Sequence, residues 1–173
     1  MKEYFTEAIV LDKEPSGEYD VRVHLYTKEL GRVVAKATSA RKITSKLNAH
    51  LEPLNLVDVR MVNKNSFQIV DALRKNKISP NFLNIVKATK ELTAENDFDY
   101  SLWTVLTALI QKNQPNMGVV LSVLGFDPKF ANCEMCGGDC HFFSLINQGF
   151  YCKNCVKGSF NIDSKDSLCF ISI

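Results

Sequence analysis

The sequence predicts an α+β protein. An N-terminal five-stranded OB-fold barrel over residues 1–78 is followed by a small helical domain over residues 79–173, which carries a zinc-ribbon element at 131–158. Three observations predict this: strand-like alternation up to about residue 75, a switch to helical period after Ser79-Pro80, and two C-x2-C pairs separated by fifteen residues near the end. An apolar share of 46% in 173 residues is enough for packed cores of this size.

The strands come first. Ala8–Leu11 is an apolar run, and Glu14-Pro15-Ser16-Gly17 places Pro and Gly as a turn requires. Asp20–Thr27 alternates: Val21, Val23 and Leu25 share one face, and Arg22, His24 and Tyr26 the other. Lys28–Gly31 turns the chain, and Arg32–Thr38 alternates again, with Val33, Ala35 and Ala37 opposite Arg32, Val34 and Lys36. After a polar, glycine-free loop, two further strands fall near Leu54–Val62 and Phe67–Ala72. Five short antiparallel strands in so few residues are the pattern of a small barrel, with the OB-fold as first choice.

The helices follow. Ser79 precedes a proline at the first helical position, and Phe82, Ile85, Val86 and Leu92 make one stripe. Asp97 or Asp99 caps a second helix, in which Leu102, Val105, Leu106, Leu109 and Ile110 keep helical spacing. Pro115-Asn116 opens a third helix with Met117, Val120, Leu121 and Leu124 in register, ended by Gly125 and Pro128. These stripes read as core rather than as a ligand box.

Five of the six cysteines lie between Cys133 and Cys155. No apolar run approaches the roughly 18–20 residues of a membrane span, and residues 1–12 carry two glutamates before any apolar run, unlike a signal peptide. A cytoplasmic location with reduced thiols and no membrane partner is expected. Under reducing conditions Cys133, Cys136, Cys152 and Cys155 form a tetrahedral set for one structural Zn2+. His141–Leu145 and Gly149–Cys152 read as a hairpin between the two pairs, turned at Ile146-Asn147-Gln148. Cys140 or His141 replacing a ligand, a redox C-x2-C, and a nucleobase deaminase built on His50-Leu51-Glu52 with Cys133-x-x-Cys136 are the rival readings. The redox reading lacks a βαβ context. The deaminase reading lacks the proline before Cys133 and leaves the second pair without a role. Four thiolates leave the metal no open position, so the site is structural.

Charge marks the function. Residues 1–80 carry fourteen Lys/Arg and ten Asp/Glu; residues 81–173 carry seven and nine. Arg22, Lys28, Arg32, Lys36, Arg41, Lys42 and Lys46 fall within one stretch whose single acid is Glu29. Such a surface offers phosphates several cations, and Tyr26 on the Arg22 face offers a ring for base stacking. The candidate nucleic-acid contacts are therefore Arg22, Tyr26, Arg32, Lys36, Arg41, Lys42 and Lys46. A merely solvated strand face is the plain alternative. The eight glycines form no G-x-x-x-x-G-K-[ST] loop, and no catalytic constellation stands out, so an enzyme is not expected.

These features occur in the order of a known family. Glu7–Leu11 resembles the opening strand of the recombination-mediator DNA repair protein RecO family. Gly17-Glu18-Tyr19-Asp20 resembles its "GE-x-D" turn, and Tyr26–Gly31 its "xT-x-x-xG" strand end. Ala40-Arg41-Lys42 with Ser45-Lys46-Leu47 resembles its "G-ARR … S-x-L" loop, and Val123–Pro128 its "LLGF-x-P" helix end, followed by the cysteine ribbon. Ser39 stands where that family often has glycine, and Gln148 where the ribbon has the first glycine of a "GG". The resemblance implies a bacterial, nucleoid-associated protein of DNA repair, DNA damage response and recombination. It would bind single- and double-stranded DNA, anneal complementary strands and help load recombinase onto coated single strands. Its implied partners are RecR and the C-terminal tail of single-stranded-DNA-binding protein. The alternatives are an RNA-binding OB/zinc-ribbon protein and a protein-only adaptor that receives an acidic tail.

Overall fold

The computed structural model describes residues 1–159 and 170–173; residues 160–169 of the expected 79–173 domain lie outside them. Five strands close into a barrel: β1 (Lys2–Pro15), β2 (Val21–Thr27), β3 (Gly31–Ala37), β4 (Asn55–Asn63) and β5 (Phe67–Lys77). They follow one another around it in the order β1-β2-β3-β5-β4. That is a five-stranded Greek-key barrel, the OB-fold. β1 is long enough to serve two neighbours. Lys2–Ile9 pairs with β4 and Ala8–Pro15 with β2, and a bulge between Val10 and Asp12 bends the strand between the two halves. A short parallel pairing of β3 with β5, Ala35 to Phe67 and Lys36 to Gln68, completes the closure.

Alternation decides the interior. Val21, Val23 and Leu25 from β2 meet Val33, Ala35 and Ala37 from β3, with Ala8, Val10, Val57, Val59, Met61 and Ile69 completing the core. Leu51 seals one end of it. It follows α1 (Leu47–His50), a single helical turn inside the loop read as polar and glycine-free from the sequence. Four residues are too few for a helical period to show.

Two longer helices follow; the second begins directly at its cap, and the first begins one tight turn after Ser79-Pro80. Ser79 Oγ accepts the Asn81 N–H at 3.4 Å, and a tight turn over Pro80–Phe82 leads into α2 (Leu83–Leu92). Asp99, of the two aspartates considered, caps α3 (Tyr100–Lys112) by accepting from the N–H groups of Ser101 at 2.7 Å and Leu102 at 3.1 Å. Lys90 on α2 ties this helix to β1: its Nζ lies 2.6 Å from Asp12 Oδ2 and 3.4 Å from Glu14 Oε1. The segment between α2 and α3 lies against the start of β3. Asn96 N–H donates to Arg32 O at 2.8 Å. Gly31 has φ +67°, and a Cβ there would stand 1.9 Å from Asp97 O. Only glycine admits both that backbone and that approach.

The chain forms two compact units, Met1–Asn113 and Gln114–Ile173. In the first, α2 and the segment before α3 are anchored on the barrel strands. The second unit starts with α4 (Met117–Val123), capped by Asn116 Oδ1 on the Val119 N–H at 3.1 Å. The hairpin β6 (Phe142–Ser144) and β7 (Gly149–Tyr151), α5 (Lys153–Ser159) and β8 (Phe170–Ser172) follow, and β6 is the central strand of the order β7-β6-β8. Phe143 is fully buried, with ring centroids 5.0 Å from both Phe126 and Phe150. Gln148, at the hairpin turn, has φ +50°. It adopts the left-handed backbone that the glycine in the resembling motif would adopt without a Cβ penalty.

Candidate metal centre and nucleic-acid interface

The Sγ atoms of Cys133, Cys136, Cys152 and Cys155 all lie within 4.8 Å of one another, and this is the one such metal-ligating cluster among the described residues. Two knuckles bring them together. In the first, Gly137 N–H donates to Cys133 O and Cys133 N–H to Gly138 O, both at 2.8 Å. Gly137 takes φ +71° to close that turn. In the second, Cys152 leads into α5, and its Sγ accepts the Cys155 N–H at 3.4 Å. Glu134 N–H donates to Phe150 O at 2.9 Å, which holds the first knuckle against the hairpin that leads to the second.

The donor set suits a tetrahedral thiolate metal. Bonds of about 2.3 Å to four sulfurs imply sulfur–sulfur edges of about 3.8 Å; Cys136 and Cys152 lie 3.7 Å apart. Without a cation the thiols compete for protons. At Cys133, burial opposes ionisation, but the N–H groups of Cys152, Met135 and Cys136 overcome it and bring the thiol down to about 6. At Cys155, the thiols of Cys152 and Cys136 push the pKa up to about 12. One divalent cation among them removes that conflict. Cys140 and His141, kept open as ligands by the sequence, are not in the cluster: Cys140 Sγ is directed to Ala131 O at 3.4 Å, and His141 is exposed.

The seven candidate DNA-contact residues separate into two groups. Arg22 and Lys36 are exposed and face one another across the β2–β3 register, and Arg41, Lys42 and Lys46 are exposed on the loop after β3. This loop is ordered by the turn between β1 and β2. Asp20 Oδ1 accepts the Ser39 N–H at 2.7 Å, Tyr19 O accepts the Arg41 N–H at 2.9 Å, and the Arg41 guanidinium reaches Gly17 O at 3.4 Å. Asp20 Oδ2 also lies 2.7 Å from Lys36 Nζ. The bond to Lys36 and the Ser39 N–H hold the Asp20 carboxyl below 3.8. Ser39, in place of glycine, has φ +55°. Both turns therefore deliver cations to one end of the barrel.

Tyr26 and Arg32 do not belong with them. Tyr26 is fully buried, its ring stacked on Trp103 at 6.4 Å, and its hydroxyl donates to Asp99 O at 3.3 Å. Burial raises its pKa above 10. No ring face is left for a base. Arg32 donates from Nε to Thr93 O at 2.9 Å and pairs with Glu95 at 3.6 Å, with 17% of its side chain exposed. Both side chains point out of the barrel, as alternation requires, but α3 and the segment before it cover that part of the outer surface. His24, between them on the same face, is buried too. Burial and the nearby Lys90 lower its pKa below 6.5 against the pull of Glu14 and Asp12. Tyr26→Ala should therefore cost about 3–5 kcal/mol of stability, as for other large buried aromatics. Denaturant titration reads this; a variant as stable as the wild type would show that Tyr26 is not a core residue.

Two residues that sequence reasoning missed occupy the basic end. Tyr19, in the β1–β2 turn, is 46% exposed, and Lys42 Nζ lies 5.5 Å from its ring centroid. Ile43, next to Lys42, is fully exposed. The available signal was an aromatic and an aliphatic residue inside turns made otherwise of polar residues.

Comparison with known proteins agrees with this architecture. A family model described as "Recombination protein O N terminal" matches residues 1–75, the length of the barrel. The DNA repair protein RecO of Streptomyces avermitilis is 30% identical over 185 residues, covering 88% of this chain and 75% of its own. The chain belongs to the RecO family. Two further RecO proteins align over similar spans. That of Thermodesulfovibrio yellowstonii is 29% identical over 88% of this chain and 70% of its own. That of Rhodopirellula baltica is 25% identical over 86% of this chain and 65% of its own. Among the described residues no helix is long and apolar enough to cross a membrane.

Proposed function

We propose that this RecO-family chain is a non-enzymatic DNA repair mediator that binds single- and double-stranded DNA at the basic end of its barrel and anneals complementary strands. The observation that carries the reading is the exposed cluster of Arg22, Lys36, Arg41, Lys42 and Lys46, presented by loops that are already hydrogen-bonded to one another. Cations held in place before binding neutralise phosphates at a lower ordering cost. Two strands on such a surface approach with their mutual repulsion reduced, and base pairing then proceeds without nucleotide hydrolysis. Loading of recombinase, through RecR and the tail of single-stranded-DNA-binding protein, is the wider role supported by family membership. The cysteine cluster holds one Zn2+ that stabilises the second unit and, with four protein ligands, leaves no position for substrate.

A gel-shift with single-stranded DNA over a salt series tests the binding. With about four phosphates neutralised, log affinity should fall against log salt with a slope near −3, from about −0.7 per contact. A flat titration would defeat the reading.

Asp20→Asn provides a test of opposite sign. The amide oxygen still accepts from Ser39, while the negative charge beside Lys36 disappears. Affinity at low salt should rise, because Lys36 no longer shares its charge with a carboxylate when it meets a phosphate. A rise that persists undiminished when Lys36→Ala is added to Asp20→Asn would show that Lys36 is not a phosphate ligand.

A further inference from the structure

Phosphate contacts alone bind any nucleic-acid strand and do not favour unpaired bases. We propose that Tyr19 and Ile43 form a base-contacting subsite at the basic end of the barrel, which adds to the binding of single strands contacts that a duplex does not make. The inference rests on the DNA-binding reading above and extends it from the backbone to the bases.

The two residues flank one cation. Lys42 Nζ sits 5.5 Å from the Tyr19 ring centroid, and Ile43 is the next residue along the chain. Both are presented by ordered backbone. Lys42 N–H donates to Ser39 O at 3.2 Å and Ser45 N–H to Lys42 O at 2.9 Å, so two successive turns hold Ile43 outward. The Tyr19 carbonyl accepts the Arg41 N–H, which fixes the Tyr19 backbone against the same loop. A fully exposed isoleucine between a lysine and a stretch of small polar residues contributes nothing to either core. Its exposure at the tip of a basic loop is the arrangement by which aliphatic side chains slip between base steps once nearby cations have seated the phosphates. A half-exposed tyrosine ring adjoining the same cation offers a face on which one base can stack. In duplex the bases are stacked and paired, so neither residue gains a partner without the added cost of unstacking. Sequence preference should be weak, because stacking and apolar contact accept every base.

The test compares three ligands of equal length: a single strand, the same strand with abasic sites throughout, and duplex, with each variant compared with wild type on the same ligand. Tyr19→Ala and Ile43→Ser should each weaken binding to the intact single strand by about fivefold to a hundredfold, with the salt slope unchanged. Binding to abasic strand and to duplex should stay at wild-type level, and Tyr19→Phe should bind the single strand as wild type does. Thermal stability should be unaltered, since both side chains lie outside the cores. Variants that bind the intact strand like wild type would overturn the proposal and leave phosphate binding standing. A parallel loss on all three ligands would also overturn it, by showing that the substitutions act through the loop. Salt-insensitive or absent binding by the wild type defeats the DNA-binding reading itself, and this subsite with it.

Discussion

Cys133→Ser should unfold the metal-bearing unit of this protein. A four-thiolate zinc site contributes on the order of 10 kcal/mol to the folding of its own segment, more than a unit of this size draws from its apolar core. Serine at this position leaves three thiolates, and the first knuckle, closed by Gly137 and Gly138, then turns around a ligand that is gone. The purified wild type should carry one zinc per chain. The variant should carry much less and should lose the ordered signals of Phe143 and Phe150, whose rings pack in that unit. Treatment with a strong chelator should produce the same change. The barrel has its own core and lies in the other compact unit, so DNA binding should suffer far less. Protein that lacks zinc when purified without chelator, or that keeps the fold of residues 114–159 after the metal is stripped, would refute the assignment.

Replacing Lys36, Arg41, Lys42 and Lys46 together by alanine should remove most of the affinity for single strands at low salt. A slope near −3 corresponds, at about 50 mM salt relative to 1 M, to roughly four decades of electrostatic affinity, about 5 kcal/mol. The fourfold variant should lose about that much and show a nearly flat salt dependence. Arg22 would supply the remaining slope. All four side chains are exposed, so the melting temperature should change little. Single substitutions should each remove somewhat less than one unit of slope, and equally for different base sequences. Annealing should slow in step with binding, and zinc content should not change. Superimposable salt titrations of wild type and variant would move the binding surface away from this end of the barrel.

Much of this arrangement was legible in the residues. Val21, Val23 and Leu25 point inward because strand side chains alternate and the barrel has one inside. Asp99 and Asn116 cap helices because their carboxylate and amide oxygens reach free N–H groups at the helix start. The four ligand cysteines could be named because a C-x2-C pair aims two sulfurs at one point, whatever surrounds it. The short helix α1 was not legible, since one turn carries no period.

The sequence by itself determined which face of each barrel strand is interior, where α3 and α4 begin, and which four sulfurs meet. Each of these depends on local geometry or on a short, fixed spacing. Only the tertiary structure decided what becomes of the outward faces. Alternation places Arg22, His24, Tyr26 and Arg32 outside the barrel, but it cannot say whether outside means water. The segment that buries Tyr26 against Trp103 and holds Arg32 by Thr93 lies some sixty to eighty residues further along the chain, so no local pattern around residue 26 or 32 records it. The same long-range folding brings Tyr19 beside Lys42 and leaves Ile43 in solvent. The aromatic ring available to a nucleic acid is therefore in the turn rather than on the strand, because helices had already covered that part of the strand.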